Sequence, residues 1–147
     1  MTIRDLHENI RTKRGWAAKA ASGGAAAGAI VDRQGYGGVE FIISYGAVTA
    51  TNATATILVK EGNATDALTS VADADLQGTE ALAGLPVADV AGTRTSGVTQ
   101  FVSKRIGYKG NKRYVQCSLA SETVTAATIL SITPVLHSPM LAPQANP

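Results

Sequence analysis

The sequence predicts an all-β fold, and more narrowly a single, jelly-roll-like β-sandwich of about seven strands. Two observations lead to this prediction. Short runs of β-forming residues alternate between apolar and polar positions, and turn signals rich in Gly, Asn and Pro separate these runs at regular intervals. In addition, the length of 147 residues suits one domain with its own hydrophobic core.

The strands of the first half are the clearest. A short first strand is expected at residues 29–32, followed by strands at 39–45 and 54–61. Gly62 and Asn63 then turn the chain. The residues expected to face the core are Val39, Phe41, Ile43 and Tyr45 in one strand and Ala55, Ile57 and Val59 in the next.

The second half alternates less regularly. We expect one helical turn within residues 72–77, and then strands at 99–106, 112–119 and 124–133. Val115, Cys117 and Leu119 should share the buried face of the second of these strands. Gly110 and Asn111 supply the positive φ angles of a tight hairpin between the first two strands. Pro134 should end the last strand or confine its end to a sheet edge.

The two ends of the chain differ in composition from the middle. Residues 1–16 are expected to form a short amphipathic helix or an unstructured basic arm. The Ala- and Gly-rich residues 17–29 form either a free linker or an extended segment whose small side chains lie close against another surface. Residues 136–147 contain three prolines and are expected to be extended and not to join the interior of a sheet. The predicted division is therefore an N-terminal arm (1–29), a β-sandwich (30–135) and a C-terminal tail (136–147).

Charge is unevenly distributed, although the net charge is only +2. Residues 61–90 carry six acidic side chains and no Lys or Arg, whereas residues 91–120 carry six Lys or Arg side chains and no acid. One interpretation is a pair of complementary patches, within one subunit or between neighbours. The other is a set of solvated loop charges that contribute little.

No catalytic signature is present, and we do not expect an enzyme, a cofactor or a metal. His7 and His137 lie far apart in sequence, and Cys117 is the single cysteine, in a position typical of a buried thiol. No apolar run is long enough to span a membrane. The basic residues 104–113, with Tyr108 and Tyr114, could offer a surface for single-stranded nucleic acid, but we favour a hairpin with one tyrosine packed inward.

Three segments together resemble a family of small structural proteins of tailed bacteriophages, encoded among the head genes. The segments are Val71-Ala72-Asp73-Ala74-Asp75-Leu76-Gln77-Gly78, Arg105-Ile106-Gly107-Tyr108-Lys109-Gly110-Asn111-Lys112-Arg113-Tyr114-Val115 and Leu136-His137-Ser138-Pro139-Met140-Leu141-Ala142-Pro143. The resemblance covers about residues 35–143, and its most specific part is the second segment. The tail lacks the further His near Met140 that is typical of the family.

The resemblance implies a virion protein, most plausibly a capsid decoration (cement) protein that binds the outer shell and stabilises the joints between major capsid subunits. It implies assembly in the host bacterial cytoplasm, the major capsid protein as partner, and a homo-oligomer such as a trimer. Alternatives are a head–tail connector, a tail protein or a glycan-binding β-sandwich. The partner contacts expected from the two ends and the basic loop are Ile3, Leu6, Ile10, Arg11, Arg14, Trp16, Lys109, Lys112, Arg113, His137, Met140 and Leu141.

Overall fold

The computed structural model describes residues 6–21, 25–46, 54–84, 102–123 and 128–141. Within these ranges the chain is mostly β-strand. Its strands are β1 (Ile10–Thr12), β2 (Trp16–Ala21), β3 (Ile30–Asp32), β4 (Tyr36–Tyr45), β5 (Thr54–Gly62), β6 (Thr69–Ser70), β7 (Leu76–Gln77), β8 (Val102–Tyr108), β9 (Tyr114–Thr123) and β10 (Thr128–Pro139). The helical elements are two 3-10 helices, His7–Asn9 and Asp73–Asp75, and one helical turn, α1 (Glu80–Ala83).

The strands form two antiparallel sheets. The first sheet has six strands in the order β1-β10-β4-β8-β7, and β2 also pairs with β10. The second sheet has four strands in the order β3-β9-β5-β6. Buried residues from both sheets belong to one hydrophobic core. The prediction of an all-β fold is therefore confirmed.

The predicted core faces of the central strands are also confirmed. Phe41 and Ile43 of β4 are fully buried, as are Ile57 and Val59 of β5, and Val115, Cys117 and Leu119 of β9 lie in the same core. These residues alternate with more exposed ones because successive side chains of a strand point to opposite faces. Burying each large apolar side chain stabilises the fold by about 1.5–3 kcal/mol. The helical turn expected within residues 72–77 is present as the 3-10 helix Asp73–Asp75.

The expected N-terminal helix is wrong for the described residues of that segment. After the 3-10 helix, β1 pairs with the C-terminal half of β10, with Ile10 opposite His137 and Thr12 opposite Val135. Such a short helix is marginal alone, whereas a strand along a sheet edge satisfies its backbone groups with hydrogen bonds to its neighbour. The arm is thus part of the first sheet.

The Ala- and Gly-rich segment is not a free linker. Part of it is β2, which pairs with β10, and Ala26 forms a β-bridge with Leu119 of β9. A Cβ on Gly28 would overlap the carbonyl oxygen of Cys117. The alternative interpretation, a segment whose small side chains permit close approach, is the correct one. The arm therefore covers the edge of β10 in one sheet and of β9 in the other.

Pro134 neither ends β10 nor lies at a free edge. Its carbonyl oxygen accepts a hydrogen bond from the Lys13 amide at 2.9 Å, so its nitrogen faces the arm as well. The arm is out of strand conformation here, between β1 and β2, and Gly15 passes so close that a Cβ would lie 2.8 Å from the Pro134 ring. Proline lacks a backbone N–H, and Pro134 thus lies where the strand pairing between β10 and the arm is interrupted.

The strand continues into the segment predicted to be a tail. β10 ends at Pro139, and Leu136 is fully buried in the core. The expected extended conformation is present, but Leu136 and His137 pair with β1 on one side and β4 on the other, so the expectation that the tail stays out of a sheet interior is wrong for them. The predicted division into arm, sandwich and tail does not match the pairing, because β1, β2 and the end of β10 belong to one sheet.

The expected hairpin between β8 and β9 is wrong. β8 pairs with β4 and β7, and β9 pairs with β3 and β5, so the intervening loop carries the chain from one sheet to the other. The described residues with positive φ are Gly35, Gly78 and Ser138, so neither Gly110 nor Asn111 supplies the expected angle. Gly110 has a different role: a Cβ there would overlap the phenol ring of Tyr108 beneath it.

Candidate partner-binding surface

The loop between β8 and β9 is held in place by the side chain of Arg33, in the turn between β3 and β4. The guanidinium donates hydrogen bonds to the carbonyl oxygens of Lys112 and of Gly110, the latter at 2.6 Å. It also donates to the carbonyl oxygens of Tyr36 and Gly37, each at 3.2 Å. Arg33 therefore ties two connections of the fold together. This role could not be predicted from the sequence, since a single Arg after a short strand carries no distinctive signal.

Tyr108 lies beneath the same loop. Its hydroxyl donates a hydrogen bond to the Glu61 carboxylate and accepts one from the Lys112 amide at 2.9 Å. The Arg33 guanidinium lies 5.3 Å from the ring centroid. Burial, and then the hydrogen bond to Glu61, raises the pKa of Tyr108 to about 12. This is the inward-packed tyrosine of the favoured sequence interpretation.

Arg113 forms a two-pronged ion pair on the outside of the loop. Its Nε and Nη2 atoms donate to the two carboxylate oxygens of Asp32, at 3.0 and 2.7 Å. The hydrogen bond from Arg113 holds the pKa of Asp32 below its usual value. The guanidinium also lies 5.0 Å from the ring centroid of Tyr114. Because both partners are about half exposed, this pair contributes little stability, but it fixes the direction of the Arg113 side chain.

The predicted pairing of acidic residues 61–90 with basic residues 91–120 is not seen in the described parts of the chain. The ion pairs found there join Arg113 to Asp32 and Arg105 to Glu40, and neither acid belongs to the acidic segment. Contacts between the segments include the hydrogen bond from the Tyr108 hydroxyl to the Glu61 carboxylate and one from the Lys109 amide to the Asp75 carbonyl, at 2.9 Å. Lys109 is exposed and Lys112 is half-buried.

The end of β10 meets this loop region. The Met140 amide donates to the Gly35 carbonyl at 2.8 Å, and the side chains of Met140 and Leu141 are 78% and 81% exposed. The first 3-10 helix contacts β10, and Leu6 at its start is 64% exposed. A cavity of about 320 Å³ lies between the β3–β4 turn, the β5–β6 loop, the β8–β9 loop and the end of β10. Its lining is Arg33, Gln34, Gly35, Tyr36, Asn63, Asn111, Arg113 and Met140.

We call residues 33–36, Asn63, 109–113 and 140–141 the loop-end surface. It brings together members of two predicted groups of partner contacts that are distant in sequence, because Arg113 from the basic loop and Met140 from the tail line the same cavity. Large exposed apolar side chains beside fixed cations are typical of protein-binding surfaces. The arrangement can therefore bind a partner through an apolar centre with a basic border.

The remaining predicted contacts lie elsewhere or face inward. Trp16 is buried in the core opposite Ile132, so it offers no free surface. Arg11 stands opposite Leu136, and its Nε is buried without a hydrogen-bond partner among the described residues. The other placements are Ile10 half-buried, Arg14 exposed, His137 half-buried against Gly38, and Ile3 outside the described residues.

Metal-binding groups and membrane-spanning helices also bear on the kind of site. In the described ranges, no group of three His, Cys, Asp or Glu side chains is arranged to hold a metal ion. In the same ranges, no helix is long and apolar enough to cross a membrane. A scan against protein-family models gave no match, and a search of curated proteins gave none either.

Proposed function

We propose that this chain is a structural protein of a tailed-bacteriophage virion, a decoration (cement) protein on the outer capsid. In this proposal it binds the major capsid protein, stabilises the joints between capsid subunits and assembles with copies of itself, as a trimer by family analogy. The support is the resemblance of residues 71–78, 105–115 and 136–143, together with where two of these segments lie. Residues 109–113 and 140–141 both contribute to the loop-end surface.

The observation that carries the proposal is the exposure of the consecutive side chains of Met140 and Leu141, at a place where Met140 lines the same cavity as Arg113. Two consecutive large apolar side chains exposed to water form a patch of the kind that marks an interaction site, whereas isolated exposed ones are common. In the proposed complex these side chains provide the buried contact, and the cations set its orientation. No catalytic group is required for this role.

The proposal also includes a jelly-roll-like β-sandwich. Its support is the packing of two antiparallel sheets on one core and the β8–β9 loop, which crosses from sheet to sheet. Such a domain is rigid and presents its loops at its ends, which suits a protein that clamps a shell.

The test is binding of the purified chain to empty shells of the phage that encodes it. Deleting the arm is a poor test, because β1 and β2 belong to the first sheet. The better variant is the double substitution Met140→Ser and Leu141→Ser, which leaves the core unchanged. We expect at least a tenfold loss of affinity, since two apolar contacts are worth about 1.5–3 kcal/mol each.

The matched control is Leu82→Ser on α1, because Leu82 is 70% exposed and lies outside the loop-end surface. Its binding should equal that of the unchanged chain. Equal binding by the double variant would contradict the assignment of this surface. Failure of the unchanged chain to bind shells at all would contradict the function. Binding in a single ring, rather than over the whole shell, would instead indicate a connector.

A further inference from the structure

A second polar cavity lies on the outer face of the first sheet, separate from the loop-end surface. Its volume is about 390 Å³, and it is lined by Glu40, Gln77, Gly78 and Arg105. Glu40 is on β4 between the core residues Val39 and Phe41, so its side chain points to the opposite, outer face. Gln77 comes from β7 and Arg105 from β8. We call this cavity the outer-face groove.

Gly107 of β8 forms the floor of the groove. It stands opposite Glu40 in one neighbouring strand and opposite Gln77 in the other. Glu40 Oε2 and Gln77 Oε1 both lie within 3.0 Å of the position that a Cβ would take on Gly107. The absence of a side chain at this position therefore lets two hydrogen-bond acceptors from different strands converge on one point.

The Glu40 carboxylate lacks a matching donor among the described residues. Its side chain is only 24% exposed, and the nearest cationic atom, Arg105 Nε, is 3.9 Å away on a side chain that is 80% exposed. Burial raises the pKa of Glu40, while the charges of Arg105 and His137 act in the opposite direction. A partly desolvated carboxylate without hydrogen bonds is costly, and a donor placed in the groove recovers part of that cost.

We propose that the outer-face groove binds a primary ammonium group, as carried by a lysine side chain, between Glu40 Oε2 and Gln77 Oε1. An ammonium is compact and has three donors and no acceptor, which suits two separate acceptor oxygens over one glycine. A planar guanidinium is better matched to the two oxygens of a single carboxylate. Arg105 competes for Glu40 from solvent and moves aside when the ammonium enters. This inference is independent of the proposed function.

The test is an NMR titration of the full ¹⁵N-labelled chain with Nα-acetyl-lysinamide. We expect saturable shifts of the Gln77, Gly78 and Gly107 amides, and none with Nα-acetyl-norleucinamide, which lacks the ammonium. A parallel titration with n-butylammonium distinguishes the two possible sources of the ammonium group, a lysine side chain and any other alkylammonium. Tighter binding of the lysinamide indicates a lysine of a partner protein, and equal binding indicates recognition of any alkylammonium; both support the site.

Five substitutions complete the test. Glu40→Gln should abolish saturation, Arg105→Gln should tighten binding at least twofold by removing the competing cation, and Gly107→Ala should block the site with its Cβ. Asp66→Asn, an exposed carboxylate outside the groove, should change nothing. If Glu40→Gln does not fold, Gln77→Ala on an exposed side chain should weaken binding instead.

Three results would overturn the inference. The first is the absence of saturable shifts with the lysinamide, and the second is equal binding by the norleucinamide. The third is unchanged binding in the folded Glu40→Gln or Gly107→Ala variant. Weaker binding by Arg105→Gln would also count against it, because it would mean that Arg105 assists the ligand rather than competing with it.

Discussion

At the scale of single residues, Arg33 determines the shape of the loop-end surface. Its guanidinium donates to carbonyl oxygens on both the β8–β9 loop and the start of β4. Carbonyl groups that are removed from water need donors, and a charged donor forms the stronger hydrogen bonds. Losing this one side chain leaves several backbone acceptors unpaired at once.

We therefore expect Arg33→Ala to lower the free energy of unfolding by about 3 kcal/mol. Arg33→Lys should recover only a small part of this loss, because an ammonium cannot reproduce the fork of the guanidinium. Urea denaturation measures both values. Arg14→Ala is the control: Arg14 is exposed, and its loss should cost less than about 0.5 kcal/mol. A cost for Arg33→Ala as small as that of the control would refute the role of Arg33.

The raised pKa of Tyr108 leads to a prediction about the stability of the fold at alkaline pH. An unfolded tyrosine titrates near pH 10, whereas Tyr108 in the folded chain has a pKa of about 12. Between these values the folded state keeps a proton that the unfolded state releases, so stability falls as pH rises. At pH 8 Tyr108→Phe should be less stable than the unchanged chain by about 1–2 kcal/mol.

The stability difference between the two proteins should then shrink as the pH rises from 10 towards 12. Denaturation at a series of pH values measures it, and the Phe variant is the reference because it differs from the unchanged chain only at position 108. A difference that stays constant over this range would show that burial does not hold the Tyr108 proton.

At the scale of elements, the arm is the feature that completes both sheets. Residues 25–29 follow the edge of β9. The backbone amide of Gly28 donates to the Ser118 hydroxyl at 3.2 Å, and the side-chain amide of Gln116 donates to the Gly28 carbonyl at 2.7 Å. Pairing by the arm protects strand edges that would otherwise be open to aggregation. These contacts explain how residues 25–29, which include no large side chain, are held against β9.

The close approach of the arm predicts that Gly28→Ala is strongly destabilising, by about 3 kcal/mol, comparable to other overpacking substitutions. Its Cβ would overlap the Cys117 carbonyl oxygen, a backbone atom that cannot move aside easily. Ala27→Ser, at an exposed neighbouring position, should have almost no effect. Thermal unfolding compares the two. If Gly28→Ala were as harmless as the control, the segment would be a free tether after all.

The elements also show which parts of the fold could be predicted from sequence. The core faces of β4, β5 and β9 followed from the alternation of residues such as Phe41 and Val59, because the period of a strand is local. The placement of β1 and β2 did not, because pairing by an Ala- and Gly-rich segment depends on backbone contacts that leave no pattern. Likewise, turn residues such as Gly110 cannot reveal which sheet the next strand joins.

The candidate site was predictable only in part. Candidate contacts such as Arg113 and Met140 could be chosen from composition, but their position at one cavity depends on the pairing of β10 with β4, which is nonlocal. Trp16 is an expected partner contact of the N-terminal arm, yet its strand register places it opposite Ile132 in the core. Arg33 acts through hydrogen bonds to backbone carbonyl oxygens, and no sequence motif predicts such contacts.

At the scale of the whole molecule, the fold brings parts from both halves of the chain to one surface. The β3–β4 turn, the β8–β9 loop and the end of β10 all border the same cavity. A rigid two-sheet domain with one apolar and basic end is suited to docking in a single orientation. The proposed role as a capsid decoration protein depends on that orientation, and so does any contact between neighbouring copies.

An image reconstruction of the intact virion tests this claim most directly. We predict many copies of the domain over the outer shell, each with Met140, Leu141 and the 109–113 loop turned towards the capsid surface. Density for the domain only at a single vertex or in the tail, or copies on the shell with the loop-end surface facing solvent, would contradict the account.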